Sequence, residues 1–317
     1  MADFGLIIPT LNATRWLPAL LPALAEQRAQ PSRFVVIDSS SDDETAATFR
    51  RAGAEVVMIN RADFDHGHTR QLALEHIGDL PLVILMTQDA LPEGPATFAN
   101  LLNAFDDPQV GIAYGRQLPR REAKAIEAHA RLFNYPETSA RDSRETLVTR
   151  GVRATFCSNS FAAYRVGALR QAGGFPANCI FGEDAIVATR MMLAGWDKAY
   201  AADAKVYHSH SYSLKQDFQR NFDVGVMHAD YAELWHQFGI PSREGSRFVK
   251  SELAYLLRHD PLAIPSAVAR TALKLTGYTA GQMYRSIPNG PRLALSMNKA
   301  YWRRQAKEGG EWSRASA

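Results

Sequence analysis

Cysteine is nearly absent from this chain of 317 residues, which holds only Cys157 and Cys179. Two cysteines, far from any other cluster of ligating residues, exclude a disulfide scaffold and a clustered zinc site, and they fit a reducing compartment. Long apolar runs are missing too: no window approaches the roughly 18 to 20 apolar residues that crossing a bilayer requires. The opening MADFGLIIPTLN has no basic n-region and is broken by Pro9, which argues against a signal peptide. Glycine is absent from PTLNAT, the turn after the first apolar run, and this argues against a glycine-rich dinucleotide loop. There is no internal repeat and no low-complexity segment. A soluble, cytoplasmic protein is expected.

Apolar residues make up 46% and charged residues 22% of the chain, so a sizeable core is available. Short apolar runs alternate with helical patterns, which predicts an α/β fold with a mostly parallel central sheet flanked by helices. Strands are expected at 4–10, 34–40, 55–60, 82–89, 111–117 and 154–165, with a strand pair or ribbon over 199–212. Helices are expected at 16–27, 45–52, 69–77 and 123–133, with another beginning near Glu183. Residues 118–151 show no clear strand. Beyond about residue 214 the pattern is helical, with helices starting near Ser246 and Pro265, so the expected division is an α/β domain over 1–215 and a helical C-terminal extension over 216–317. Residues 241–317 carry 13 Lys+Arg against 5 Asp+Glu, while 1–240 have a balance of −5. That basic region also bears Tyr255, Tyr278, Tyr284, Tyr301, Trp302 and Trp312, which suggests either an anionic surface as partner or a solvated helical face.

Several polar residues stand where chemistry is done. Asp38 ends an apolar run and is followed by SSSDDET, either a nucleoside-facing strand end or a helix cap ahead of Thr45. Asp89 ends the run VILMTQD, either as a ligand or as the residue opening a turn before Ala-Leu-Pro. Two acids at neighbouring strand ends fit a metal–diphosphate site, because Mg²⁺ and Mn²⁺ take few protein oxygens and the rest from phosphate and water. Glu183 and Asp184 open an amphipathic helix behind Gly182. Acids there complement the helix dipole, yet two are more than a cap needs, and one is a candidate general base. His208 and His210 alternate in VYHSHSY and in a strand would face one side. His66, His68 and Arg70 at a helix start form a candidate anion-binding corner, or an ordinary loop-to-helix transition.

Taken in order, IIPTLN, VVIDSSSDDET, FDHGHTRQLA, VILMTQDA, FCSNSFAAYR, GGFP, FGED and VYHSH resemble family 2 glycosyltransferases, inverting enzymes with a GT-A nucleotide-sugar fold, over residues 5–215. HGHTR, LMTQDALP, YGRQLPR, FNYP and HSHSY more narrowly resemble bacterial rhamnosyltransferases that use dTDP-L-rhamnose. The resemblance implies that Asp38 holds the nucleobase and that Asn12 and Asp43 line the nucleoside pocket; Gln88 is a further donor-binding candidate, and so is Arg70, whose guanidinium suits diphosphate oxygens unless it is a surface residue. Asp89 matches the last acid of the family's metal-binding Asp-x-Asp motif, with Thr87 in place of the first. Asp184 matches the catalytic base, and His208 a histidine that joins the metal in some members. Glu183, His210 and Arg116 are secondary candidates, and Arg120 joins Arg70 and Arg116 as a candidate contact to diphosphate or acceptor. The implied cofactor is a divalent cation, Mg²⁺ or Mn²⁺. The implied acceptor is a glycan or polyprenyl-linked glycan of bacterial polysaccharide synthesis, met at the inner face of the membrane, with the basic C-terminal helices touching anionic lipid. A UDP-hexose-dependent transferase and a non-catalytic nucleotide-sugar-binding relative are the alternatives. Nothing resembles a nucleic-acid recognition motif.

Overall fold

The structure, a computed structural model, describes residues 2–237 and 244–307. Nine strands form one sheet: β1 Phe4–Thr10, β2 Arg33–Asp38, β3 Glu55–Met58, β4 Leu82–Met86, β5 Leu91–Pro92, β6 Val110–Leu118, β7 Ala140–Asp142, β8 Phe161–Arg165 and β9 Asp197–Tyr207. Their order is β3-β2-β1-β4-β8-β6-β9-β5, with β7 on the side of β9. Strands β1 to β4 are mutually parallel, and apolar runs such as LVILM in β4 are buried along their whole length, as helices on both faces require. Alternate residues feed opposite cores. Leu6 and Ile8 pack with Leu17, Leu20 and Phe98 on one face, while Ile7, Val83 and Leu85 pack with Leu74, Val187 and Met191 on the other.

The expected mostly parallel sheet is interrupted in its middle, and at its edge β5 and β7 also run antiparallel to β9. Strand β8 runs antiparallel to both its neighbours, with Met86 opposite Phe161 and Tyr114 opposite Ala162. This reversal positions the site, because it carries the loop that precedes β8 to the carboxyl end of β4. The strand expected over 154–165 is confined to 161–165. Residues 151–155 coil into 3-10 turns, and Ser158 and Asn159 use their side chains for bonds outside the sheet. The ribbon expected over 199–212 is the single strand β9, and His208 and His210 lie just past its end rather than within it. The segment 118–151, expected to lack strands, contributes β7, which pairs with β9 through Ala140–Tyr200.

The C-terminal helices share a core with the sheet domain. Cys179, Ile180 and Ile186 pack against Phe222, Val226, Met227, Tyr284, Tyr301 and Trp302, so hydrophobic contact crosses residue 215. Tyr284, Tyr301 and Trp302 are therefore core residues, contrary to the surface role their basic setting suggests; Trp312 lies outside the described residues. Several of the basic groups are also occupied: Arg270 pairs with Asp217, Arg285 with Asp230 and Arg304 with Asp65. Helices Leu214–Asp230 and Ile264–Gln282 cross with backbones in contact, and glycine makes this possible: a Cβ on Gly281 would stand 2.1 Å from the Phe222 carbonyl oxygen. Among the described residues no helix is long and apolar enough to cross a membrane.

Candidate active site

The parallel strands β1, β2 and β4 all end at one crevice, where open α/β sheets bind ligands. Side chains at those ends tie the loops together. Asp38 is fully buried and accepts hydrogen bonds from Thr10 Oγ1 (3.0 Å), the Ser41 N–H (2.8 Å) and Ser41 Oγ (2.6 Å). Asn12, exposed with φ 49°, accepts from the Asp42 N–H at 2.9 Å, while its own N–H donates to Ser41 Oγ at 2.8 Å. Asp43 accepts from the N–H groups of Thr45 and Thr14 at 3.0 and 3.3 Å. Gln88 accepts from the Leu11 N–H (2.8 Å) and donates to the Leu11 carbonyl (3.1 Å), so its amide latches the loop after β4 to the loop after β1. Asn12, Asp38, Asp43 and Gln88 thus converge, and in this structure their polar groups shape the crevice by bonding to one another's loops.

Asp89 follows that latch. His208, placed beside β6 by its N–H bond to the Leu118 carbonyl (3.0 Å), turns Nε2 to within 3.4 Å of Asp89 Oδ1. His210 Nε2 stands 3.9 Å from Asp89 Oδ2. The three residues each offer a ligand atom, and these atoms lie within 4.8 Å of one another. His208 Nδ1 is 2.9 Å from Gln117 Oε1, an acceptor that also receives Arg131 Nη1 at 2.6 Å. The amide oxygen requires the proton on Nδ1, so the lone pair on Nε2 faces Asp89. Burial lowers the His208 pKa, and burial with the neighbouring His208 takes His210 down to about 4. Burial raises Asp89, but at the acid pH where this carboxyl titrates both imidazoles are protonated, and the hydrogen bond and charge of His208 with the charge of His210 outweigh burial and hold it well below its usual range, so near neutrality the carboxylate stands beside neutral rings. One carboxylate and two neutral imidazoles are a donor set that fits a divalent cation, with room left for diphosphate oxygens in place of the acid that Thr87 replaces.

Arg120 closes one side of this cluster. Its Nη2 donates to the Asp89 carbonyl at 2.7 Å and lies 3.5 Å from Asp89 Oδ2, while its guanidinium carbon sits 4.1 Å over the Trp16 ring. Together with Arg15, Trp16, Leu20, Gln88 and Asp89 it lines a cavity of about 440 Å³. Arg116 does not reach the cluster: its guanidinium is buried against the Tyr135 carbonyl (3.2 Å) and Glu137 (3.1 Å).

The second chemical centre opens the helix Glu183–Leu193, entered through Gly182 at φ 77°. Its two acids have opposite fates. Glu183 lies 3.1 Å from Arg70 Nη1 and accepts from Asn159 Nδ2, also at 3.1 Å. Burial opposes its charge, but Arg70 and the other partners hold its pKa below the ordinary value. Among the described residues Asp184 accepts only backbone N–H groups, from Asn159 (3.2 Å) and Ala185 (2.8 Å), and burial together with the Glu183 charge pushes it up to about 7. Neighbouring carboxyls driven apart in this way leave one ionised and the other able to take or give a proton near neutrality. Arg70, expected at the donor, is buried and committed to Glu183 and to the His66 carbonyl. The anion corner expected around His66 and His68 is closed by Asp65, which caps that helix by accepting from the Gly67 and His68 N–H groups and is itself held by Arg304.

One short loop, residues 156–160, joins the two centres. Ser158 Oγ accepts from Gln117 Nε2 (2.9 Å), the Ser160 carbonyl accepts from the Thr87 N–H (3.2 Å), and Asn159 contacts both Glu183 and Asp184. Gln117 and Asn159 carry no signal of these contacts in the sequence, although YGRQLPR and FCSNSF contain them.

Comparison with known proteins identifies the family. Residues 2–223 match the family described as glycosyltransferase like family 2. The O-antigen chain rhamnosyltransferase WbaN of Salmonella anatum is 40% identical over 304 residues, covering 95% of this chain and 96% of its own. The O-antigen chain rhamnosyltransferase RfbN of Salmonella typhimurium is 40% identical over 298 residues, covering 94% and 95%. Among solved structures, the mannosyltransferase PcManGT of Pyrobaculum calidifontis, in complex with GDP-Man and Mn²⁺, superposes with a TM-score of 0.55 at 19% identity, covering 99% of this chain and 90% of its own.

Proposed function

This chain belongs to glycosyltransferase family 2, and from that premise we propose that it transfers L-rhamnose from dTDP-L-rhamnose to a hydroxyl of a growing O-antigen-type glycan, with inversion at the anomeric carbon. The observation that carries the chemistry is that a cluster able to ligate a cation and a carboxyl with a pKa of about 7 are tied to one five-residue loop, the first through Gln117 and Ser158, the second through Asn159. The near full-length identity to two O-antigen rhamnosyltransferases supports the sugar and the acceptor class.

Asp89, His208 and His210 are the residues that would hold a divalent cation, whose chemistry is to neutralise the donor diphosphate. Gln117 keeps His208 in the tautomer that offers Nε2, and Arg120 lends a second positive charge beside Asp89. The loops tied by Asp38, Asn12 and Asp43 form the wall for the nucleoside. Asp184 accepts the proton of the acceptor hydroxyl as that oxygen attacks the anomeric carbon from the face opposite the leaving diphosphate. The N–H groups of Asn159 and Ala185 aim its carboxylate, and the Glu183 charge keeps it basic enough for the task. A single displacement of this kind inverts configuration and needs no covalent enzyme intermediate.

A donor panel tests the reading: dTDP-L-rhamnose, UDP-glucose and UDP-galactose, each with a lipid-linked acceptor, scored for nucleotide release and for the anomeric configuration of the product by NMR. Release from dTDP-L-rhamnose is expected. Turnover of a UDP-hexose instead would reassign the donor, and inert donors throughout would remove the transferase assignment. Imidazole nitrogens suit Mg²⁺ poorly, so Mn²⁺ is expected to support faster release than Mg²⁺ at equal concentration, with EDTA abolishing both. Equal rates with the two ions would argue against the histidines as ligands.

A further inference from the structure

The helix Leu214–Asp230 contributes Arg220, a half-buried residue whose guanidinium carbon lies 4.6 Å over the Phe181 ring and 5.5 Å over the Tyr212 ring. Other arginines of the C-terminal region, Arg270, Arg285 and Arg304, each face a carboxylate. Arg220 has no hydrogen bond or ion pair to its guanidinium among the described residues. The aromatic faces hold the planar cation by its π-surface, which leaves its in-plane N–H groups free to donate.

Its position is defined from both sides. The Tyr212 ring is 5.5 Å from that of His210, which in turn is 3.9 Å from Asp89, so one supporting ring leads to the cation ligands. The other ring, Phe181, is separated only by Gly182 from Glu183 and Asp184. Arg220 therefore stands on the line of contacts between the cation ligands and the candidate base, where the donor's diphosphate must lie if the sugar is to reach Asp184. A half-buried arginine fork is costly to leave without an acceptor, and phosphate oxygens match its geometry in pairs.

We propose that Arg220 is a binding residue for the nucleoside diphosphate, donating to the phosphate oxygens that leave with the nucleotide. This inference rests on the nucleotide-sugar reading of the site.

Calorimetric titration of the full chain with dTDP, UDP and dTMP in the presence of Mn²⁺ tests it. R220M keeps much of the length and the apolar contact with the two rings but removes the fork. It is expected to weaken binding of the diphosphate by roughly 10- to 100-fold, the range of a charge-assisted hydrogen bond, with a much smaller change for dTMP and an unchanged unfolding midpoint. Wild-type diphosphate affinity in R220M would overturn the proposal, as would equal losses on diphosphate and monophosphate, which would indicate a structural role. If R220M does not fold, R220K serves: charge is retained and the fork lost, so a several-fold loss confined to the diphosphate is expected, and no loss overturns the inference. Wild-type protein that binds neither dTDP nor UDP would overturn the nucleotide-sugar reading itself, and this inference with it.

Discussion

Replacing Asp184 by asparagine is expected to lower the rate of sugar transfer by roughly 10² to 10⁴-fold, the usual contribution of a positioned general base, while nucleotide affinity stays near that of the wild type. The amide keeps the shape of the carboxyl but cannot take a proton. The same substitution has two pH signatures. In the wild type the base must be ionised, so kcat/KM is expected to rise with pH through about 7 and then level off; D184N loses that limb. Stability moves the other way. The folded state holds the Asp184 proton up to about 7, whereas the unfolded chain releases it near the ordinary carboxylate value of 3.8. Between those values the folded state binds more protons, so the contribution of this group to stability is lost as pH rises. D184N is therefore expected to unfold at a higher temperature than the wild type at pH 8, with the difference fading toward pH 4. Full transfer activity in D184N would remove the base assignment, and a pH profile that kept its limb in the variant would place the titrating group elsewhere.

The substitution Gly281→Leu is expected to cost about 3 kcal/mol or more, the upper range for overpacking, because the obstacle is main chain rather than a rotatable side chain. Three glycines set the crossing of Leu214–Asp230 with Ile264–Gln282. Cβ atoms on Gly225, Gly277 and Gly281 would stand 2.2, 2.4 and 2.1 Å from the carbonyl oxygens of Tyr278, Phe218 and Phe222. Moving the helices apart strips contact from Phe222 and Val226, which share a core with Ile180 and Ile186 on either side of Glu183 and Asp184. Against a typical total stability of about 5–15 kcal/mol, such a loss is a large fraction. Urea unfolding monitored by circular dichroism would show it as a fall in midpoint, accompanied by reduced activity because the base helix loses its backing. An unchanged midpoint would mean that the helices do not cross this closely.

The strands were readable wherever apolar runs are continuous and buried on both faces, as in FGLIIPT and LVILM. Their pairing was not, because an antiparallel strand such as FAAYR has the same apolar pattern as a parallel one. The two clusters proposed as chemical centres were legible because Asp89 and His208 stand at abrupt ends of apolar runs, with His210 two residues on, and Asp184 opens a helix with an apolar face. What stood out less were the residues whose role exists only across the sheet. Gln117 meets His208 through the β6–β9 register, and Arg70 meets Glu183 across 113 residues of chain. Arg70 reads as an anion-binding side chain in FDHGHTR until its partner is seen. The tail aromatics mislead for a related reason: Tyr301 and Trp302 sit among basic residues in sequence but face Phe222 and Tyr284 in space.

Pairing Met86 with Phe161 closes a stretch of about 75 residues, and the strand so placed is then flanked on its far side by Tyr114 and Ala113. Contacts of such long sequence separation are slow to form, and the β1–β4 pairing, with Ile7 opposite Leu85, spans as much chain, so β8 is expected to dock late, together with the closure of β4 on β1 rather than with the shorter-range β1–β2 and β2–β3 pairings. Until it docks, Thr87 has no Ser160 and Gln117 has no Ser158, so partly folded chains lack the bonds that link the two chemical centres. Divalent ion and nucleotide would then select the finished molecule over its folding intermediates, and a newly made chain would be stabilised by its substrate only once it is able to use it.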